Sequence, residues 1–330
     1  MTGRPPFDEC SNDAVVISEL HKGARPNRPT SSEVVNRGLS DELWWLIQRC
    51  WSDAPVERPL MSHVLLDLDS IANALQTASV RGHYGIVRSL LEKGADVNAQ
   101  DGRYGSALQA ASLGGHEEIV RLLLEMGADV NAQQGHYGTA LQVASRYGHV
   151  VIVRLLLENG VDVNALGRCH GSALQAAALG GYNEIVRMLL DQGADVKVRG
   201  GHYGSALQAA SAVGNDEIVH LLLEKGADVT AEGGVYGTAL QAAALAGHAG
   251  IVQRLLDKGA DVDARGGRYG SALQAASSTG KETIVRQLLK AGADVAAQGG
   301  EYGNAAQGAL VEGHVAIVQM LLEHGAYGSF

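Results

Sequence analysis

Residues 106–131 read SALQAASLGGHEEIVRLLLEMGADVN, and the two halves of this stretch differ in a way that decides the fold. From Ser106 to Gly114 the residues form helices well and are mostly small. Gly115 and His116 then break the run. From Glu117 to Met126 the residues Ile119, Leu122, Leu123 and Met126 recur at helical spacing, which predicts a second helix with one apolar face. Gly127 stands where a helix end calls for a left-handed residue, and Ala128-Asp129-Val130-Asn131 leads out into an extended turn. A helix shorter than about 12 residues is marginal in water, so two such helices must bury their apolar faces against neighbours.

The neighbours are copies. GAD begins at Gly94, Gly127, Gly193, Gly226, Gly259 and Gly292, with GVD at Gly160 and GAY at Gly325, and each step is 33 residues. ALQ recurs at the same interval from Ala74 to Ala272, with AAQ at Ala305, giving eight units. In its length, its Gly-His before the second helix (Gly115-His116, Gly148-His149, Gly247-His248, Gly313-His314) and its run IVRLLLEMGADVNA, the chain from residue 71 to 330 resembles the ankyrin repeat. The resemblance implies an all-α solenoid of helix-turn-helix units joined by hairpin-like fingers. One departure stands out: the family's TPLH at the start of the first helix is SALQ or TALQ here. Ser106 or Thr139 can still cap through its hydroxyl, and Gln109 puts an amide in the place of the histidine.

A glycine-rich turn precedes each SALQ, as in GGRYGSALQAAS at residues 266–277, and a glycine-rich turn running into a helix is also the form of a phosphate-binding loop. A phosphate loop is normally used once, follows a buried strand and often carries a lysine, whereas this turn recurs through the array without one. We read it as a turn that visits positive φ. His83, His116, His149, His248 and His314 recur at the second-helix starts, but Tyr182, Asn215 and Lys281 share their column. Successive units lie roughly 10 Å apart, too far to share one ion, so the reading is packing rather than metal ligation. No metal or cofactor is expected.

The candidate binding residues lie in two zones that vary or project. Tyr104, Tyr137, Tyr203, Tyr236, Tyr269 and Tyr302 occupy one finger position, interrupted by His170. Two roles stand open for this column: rigid anchors for a partner, or rings that stiffen the array. The residue before each tyrosine changes from unit to unit: Arg103, His136, Cys169, His202, Val235, Arg268, Glu301. A second variable pair ends the first helix and includes Arg146 and Tyr147. The ankyrin resemblance implies that both zones line the concave, partner-binding side, so the expected site is a stripe of Arg103, Tyr104, His136, Tyr137, Arg146, Tyr147, His202, Tyr203, Val235, Tyr236, Arg268, Tyr269, Glu301 and Tyr302.

Residues 1–70 are of another kind, holding all six prolines and all three tryptophans of the chain. The pattern Cys50, Trp51, Pro55, Arg58, Pro59, Met61 resembles the closing part of a protein kinase domain of the tyrosine-kinase-like sort, and implies three C-lobe helices at about 12–21, 41–51 and from 59 onward. The sequence carries no Gly-rich loop with VAIK, no HRD and no DFG, so no phosphoryl transfer is expected from it. The run after Pro59 keeps helical spacing through Val64, Leu65, Leu68, Ile71, Ala72 and Leu75, which predicts that this remnant joins the first unit and caps the solenoid.

Whole-chain properties narrow the function further. A net charge of -10 has the wrong sign for a nucleic-acid footprint. No apolar run approaches the 18 residues of a membrane span, and three cysteines without a CxxC pair fit a reducing compartment, so a cytoplasmic or nuclear monomer is expected. The expectation is a non-catalytic protein-binding scaffold. Two alternatives are the C-terminal portion of a tyrosine-kinase-like protein kinase whose array recruits substrates or regulators, and a purely structural spacer.

Overall fold

The computed structural model describes residues 71–100, 104–133, 135, 137–167 and 171–326. The kinase-like segment 1–70 lies outside them, as do Arg103, His136, Cys169 and His170. Among the described residues the chain is all-helical. Eight units open with first helices at Ile71–Val80, Ala107–Gly114, Ala140–Tyr147, Ala173–Gly180, Ala206–Val213, Ala239–Ala246, Ala272–Ser278 and Ala305–Val311. They are numbered 1 to 8 below. Each first helix is followed by an antiparallel second helix, as at Glu117–Glu125 in unit 2 and Val150–Glu158 in unit 3. Between units the chain forms a finger closed by a single bridge, Gly266 to Gly270 in the finger before unit 7 and its counterparts at Gly167, Gly200, Gly233 and Gly299.

Packing follows from side-chain size. The first helices are made almost wholly of Ala, Ser, Leu and Gln, so their backbones approach closely; the bulkier second helices touch one another more sparsely. The array therefore curves with its first helices on the inner side. One continuous apolar core threads all eight units from Leu75 to Ala326. In the second helix of unit 2 the buried residues are Ile119, Val120 and Leu123, whereas Leu122 is half-buried and Met126 is 49% exposed. This corrects the expected face: Met126 lies past the last helical turn, and Val120 points between this helix and the rest of the unit.

The glutamine of SALQ makes the bonds that tie one unit to the next. Gln142, 1% exposed, accepts from Thr139 N through Oε1 at 3.0 Å, while its own N donates to Thr139 Oγ1 at 3.2 Å, a reciprocal cap on the first helix. Its Nε2 donates to Ala165 O at 2.8 Å and Gly171 O at 2.9 Å in the following finger. Both polar atoms of this buried amide are thus bonded, and the same Nε2 bond to the next finger recurs from Gln76 to Gln274.

The residue preceding each second helix seals the seam between units. The His116 ring lies over Gly82, with Nε2 3.0 Å from Val80 O. His149 covers Gly115, Tyr182 covers Gly148, His248 covers Gly214 and His314 covers Gly280. Asn215 reaches Gly181 O at 3.1 Å, and the Lys281 methylenes lie on Gly247. Imidazole, phenol, amide and alkyl chain do the same packing job, which is why the column tolerates such different residues.

The last described unit presents an apolar face. In unit 8 Leu310, Val311 and Val315 are 56%, 71% and 73% exposed, where unit 7 buries Ser277 and Ser278 beneath its successor.

Candidate functional site: the finger and first-helix face

The fingers are stitched to one another by backbone. Val235 N donates to His202 O at 3.0 Å, Arg268 N to Val235 O at 3.4 Å and Glu301 N to Arg268 O at 3.1 Å. These residues belong to the variable position before the tyrosine, so the backbone that carries the variation is itself held in a ladder while the side chains project. His202, Val235, Arg268 and Glu301 are all exposed.

Such close approach requires glycine. A Cβ on Gly267, whose φ is +60°, would sit 2.6 Å from the carbonyl carbon and oxygen of Tyr236 in the preceding finger. The glycine-rich turn is therefore fitted against another turn.

The tyrosines form pairs rather than an unbroken row. Tyr104 and Tyr137 stack at 6.3 Å between centroids, Tyr203 and Tyr236 are tilted at 5.9 Å, and Tyr269 and Tyr302 stack at 6.5 Å. All six rings are half-buried, so each both supports its neighbour and shows a face to solvent. Burial, and then the neighbouring Tyr203 and Tyr269, pushes the Tyr236 phenol above the ordinary tyrosine range.

The two ends of the stripe differ in how far their charges are already matched. Toward the C-terminus Arg268 grips Glu301 through Nε at 2.6 Å and Nη2 at 3.0 Å while lying 5.6 Å over the Tyr269 ring. The bidentate bond holds the Glu301 carboxyl below its usual range. Tyr302 donates to Glu312 Oε1 at 2.8 Å, and that bond raises the phenol. Arg199 pairs with Asp228, and Arg265 with Asp294.

In unit 3 Arg146 lies 6.0 Å over the Tyr147 ring, and Tyr147, 46% exposed, stacks at 6.5 Å on His149. Among the described residues Arg146 holds no carboxylate. Of the expected stripe, then, the structure gathers the finger residues from His202 onward into one ladder and sets Arg146 and Tyr147 apart on the end of a first helix.

Sequence reasoning passed over two features. The glutamine's double role was signalled by Ser/Thr-x-x-Gln, the capping-box spacing, repeated along the array. The second is the loop after each second helix, where Asn98 Oδ1 accepts from Asp129 N and Asn98 Nδ2 donates to Gly127 O at 3.1 Å; Asn164 does the same for Asp195 and Gly193.

No helix of the described residues is long and apolar enough to cross a membrane. Comparison with known proteins agrees with this architecture and also finds short similarities to protein kinases. Short stretches are similar to the dual serine/threonine and tyrosine protein kinases of Pimephales promelas (33% identity over 69 residues, 21% of this chain and 7% of that protein) and Tetraodon nigroviridis (34% over 65 residues, 20% and 6%). The corresponding kinase of Xenopus laevis is 33% identical over 69 residues. The chain spans only 6–7% of the length of these relatives. The family profile described as ankyrin repeats (3 copies) matches in overlapping segments from residues 59–134 to 240–329. With helix pairs, bridged fingers and glycine-sealed seams recurring under that match, the chain belongs to the ankyrin repeat family.

Proposed function

We propose that this protein is a non-catalytic scaffold that binds protein partners on the finger and first-helix face. One observation carries the reading: of the residues that vary between units, His202, Val235, Arg268 and Glu301 are exposed on a backbone ladder that fixes their positions. A preordered face loses little conformational entropy when a partner docks, which is where rigid scaffolds gain affinity. Membership in the ankyrin family supports the same protein-binding role. The stripe from Arg103 to Tyr302 is the proposed surface, acting as a monomer in the cytoplasm or nucleus, with protein rather than nucleic acid as its partner. To test it, partners captured by proximity labelling are re-measured against a triple variant, Arg103→Ala, His202→Ala and Arg268→Ala. Binding is expected to fall by tenfold or more; unchanged affinity sinks the proposal.

A second reading rests on the kinase similarities. In it, residues 1–70 are a C-lobe remnant and the array recruits substrates or regulators to a kinase. A longer transcript encoding VAIK, HRD and DFG upstream of Met1 favours it; an upstream sequence without those motifs removes it. The chain itself is proposed to be catalytically silent, and a phosphoryl-transfer assay with ATP and magnesium checks that directly.

A further inference from the structure

Units in this array are close to copies, so a unit that breaks the pattern is informative. Across the eight first helices, IANALQTASV to AAQGALV, Arg146 is the only charged residue and Tyr147 the only aromatic one. They are adjacent, and both fall in unit 3. At the position of Tyr147 the flanking units carry Gly114 and Gly180, which present no side chain of their own beside the ring. The space next to those glycines is filled by the His116 and Tyr182 rings. The result is an exposed ring backed by His149.

Charge separates this spot from the rest of the face. The finger arginines Arg199, Arg265 and Arg268 each hold a carboxylate of their own chain, whereas among the described residues Arg146 meets the tyrosine ring and no carboxylate. A guanidinium fixed by an aromatic ring and unmatched by a carboxylate is suited to receive one bidentately. A protein of net charge -10 that nonetheless sets its one first-helix charge positive, at its one exposed first-helix ring, selects an acidic partner there.

Resting on the scaffold reading above, we propose that the end of the unit 3 first helix anchors partner binding and takes an extended acidic segment. Its carboxylate meets Arg146, and an adjacent apolar side chain packs on the exposed face of Tyr147.

The probe is a phage-displayed library of random linear peptides selected on the full chain, with enriched peptides synthesised and measured by fluorescence anisotropy. Peptides pairing Asp or Glu with an aromatic or aliphatic neighbour are expected. Their binding is expected to weaken at least about tenfold with Arg146→Glu and with Tyr147→Ala, and less than about twofold with Arg121→Ala, an exposed second-helix change outside the stripe; Arg268→Ala plus Tyr269→Ala is measured alongside. Replacing the peptide's acid by lysine is expected to restore binding to the Arg146→Glu protein, a result that a merely structural role for Arg146 does not produce. Tyr147 is exposed and Arg146 half-buried, and matching thermal midpoints establish that the variants fold. Peptides that respond to the Arg268 and Tyr269 changes but not to Arg146→Glu overturn this assignment and leave the scaffold reading standing. Peptides indifferent to every substitution on this face overturn both. A selection that enriches nothing overturns the linear-segment proposal, while the triple variant still judges the scaffold.

Discussion

A single amide shows how much one position can hold. Replacing Gln142 by Ala leaves Thr139 N, Ala165 O and Gly171 O without the partners they have in the intact chain. We expect a loss of about 3 kcal/mol in urea unfolding, several times the effect of an exposed substitution. The neighbouring serine column behaves in the opposite sense. Ser112, Ser145, Ser211 and Ser277 bury hydroxyls without a hydrogen-bond partner, and Ala178 and Ala244 fill the same column. Ser112→Ala is therefore expected to leave stability unchanged or raise it by up to about 1 kcal/mol, read from the same unfolding curves. Glycines separate in a similar way. Gly267→Ala meets the backbone of the preceding finger and is expected to cost about 2 kcal/mol or more, whereas Gly193→Ala, with open space around it, costs about 1 kcal/mol from its positive φ alone. That Gly267 is a turn residue was legible in the recurrence of its motif; that it faces another turn was not, because the approach of two fingers depends on how tightly the first helices stack. The free state of Arg146 was hidden for a related reason: it depends on which carboxylates fold to within reach, and no spacing in the sequence records that.

Among the elements, the finger is the most unusual, since a bridge of one residue pair is too short to be a strand and is stable only as part of its ladder. Its tyrosines report on that ladder. Because Tyr236 in the folded chain titrates above its unfolded value of about 10, the neutral ring is favoured by folding. The corresponding stability is present below about pH 10 and is lost as pH rises through the folded value. An absorbance titration is expected to show late-ionising phenols, fewer by one in Tyr236→Phe, with that of Tyr302 remaining. If the variant and the parent titrate alike, the ring is not held as described. Helices were the more legible element: breaks at glycine and the return of Ile-Val-x-x-Leu fix their number and order. Their exact faces were less so, as Met126 shows, because a residue at a helix end leaves the face that its spacing predicts.

For the molecule as a whole, stability sums over units and the contacts between adjacent ones. The apolar end at Leu310, Val311 and Val315 has no successor to cover it among the described residues. Changing Leu310 and Val311 to Gln is expected to delay the onset of light scattering on heating, with little change in the unfolding midpoint. The repeat architecture was readable from periodicity, because each unit repeats the same local solution, and its ankyrin character from the resemblance of the unit; how residues 1–70 relate to it was not, since they share neither the period nor its residues.

The Gln142 to Gly171 bond joins residues 29 apart, and the Asn98 to Asp129 bond joins residues 31 apart, both within one period. No bond of this kind needs to know its place in the chain. Excising one internal period of 33 residues, for instance 173–205, rejoins chemically equivalent ends and is expected to yield a shorter, cooperatively folding array by circular dichroism. Unequal recombination between gene copies would perform the same excision or its reverse without a folding penalty, so copy number is a quantity that this lineage can change in a single event while each surviving unit keeps its own surface.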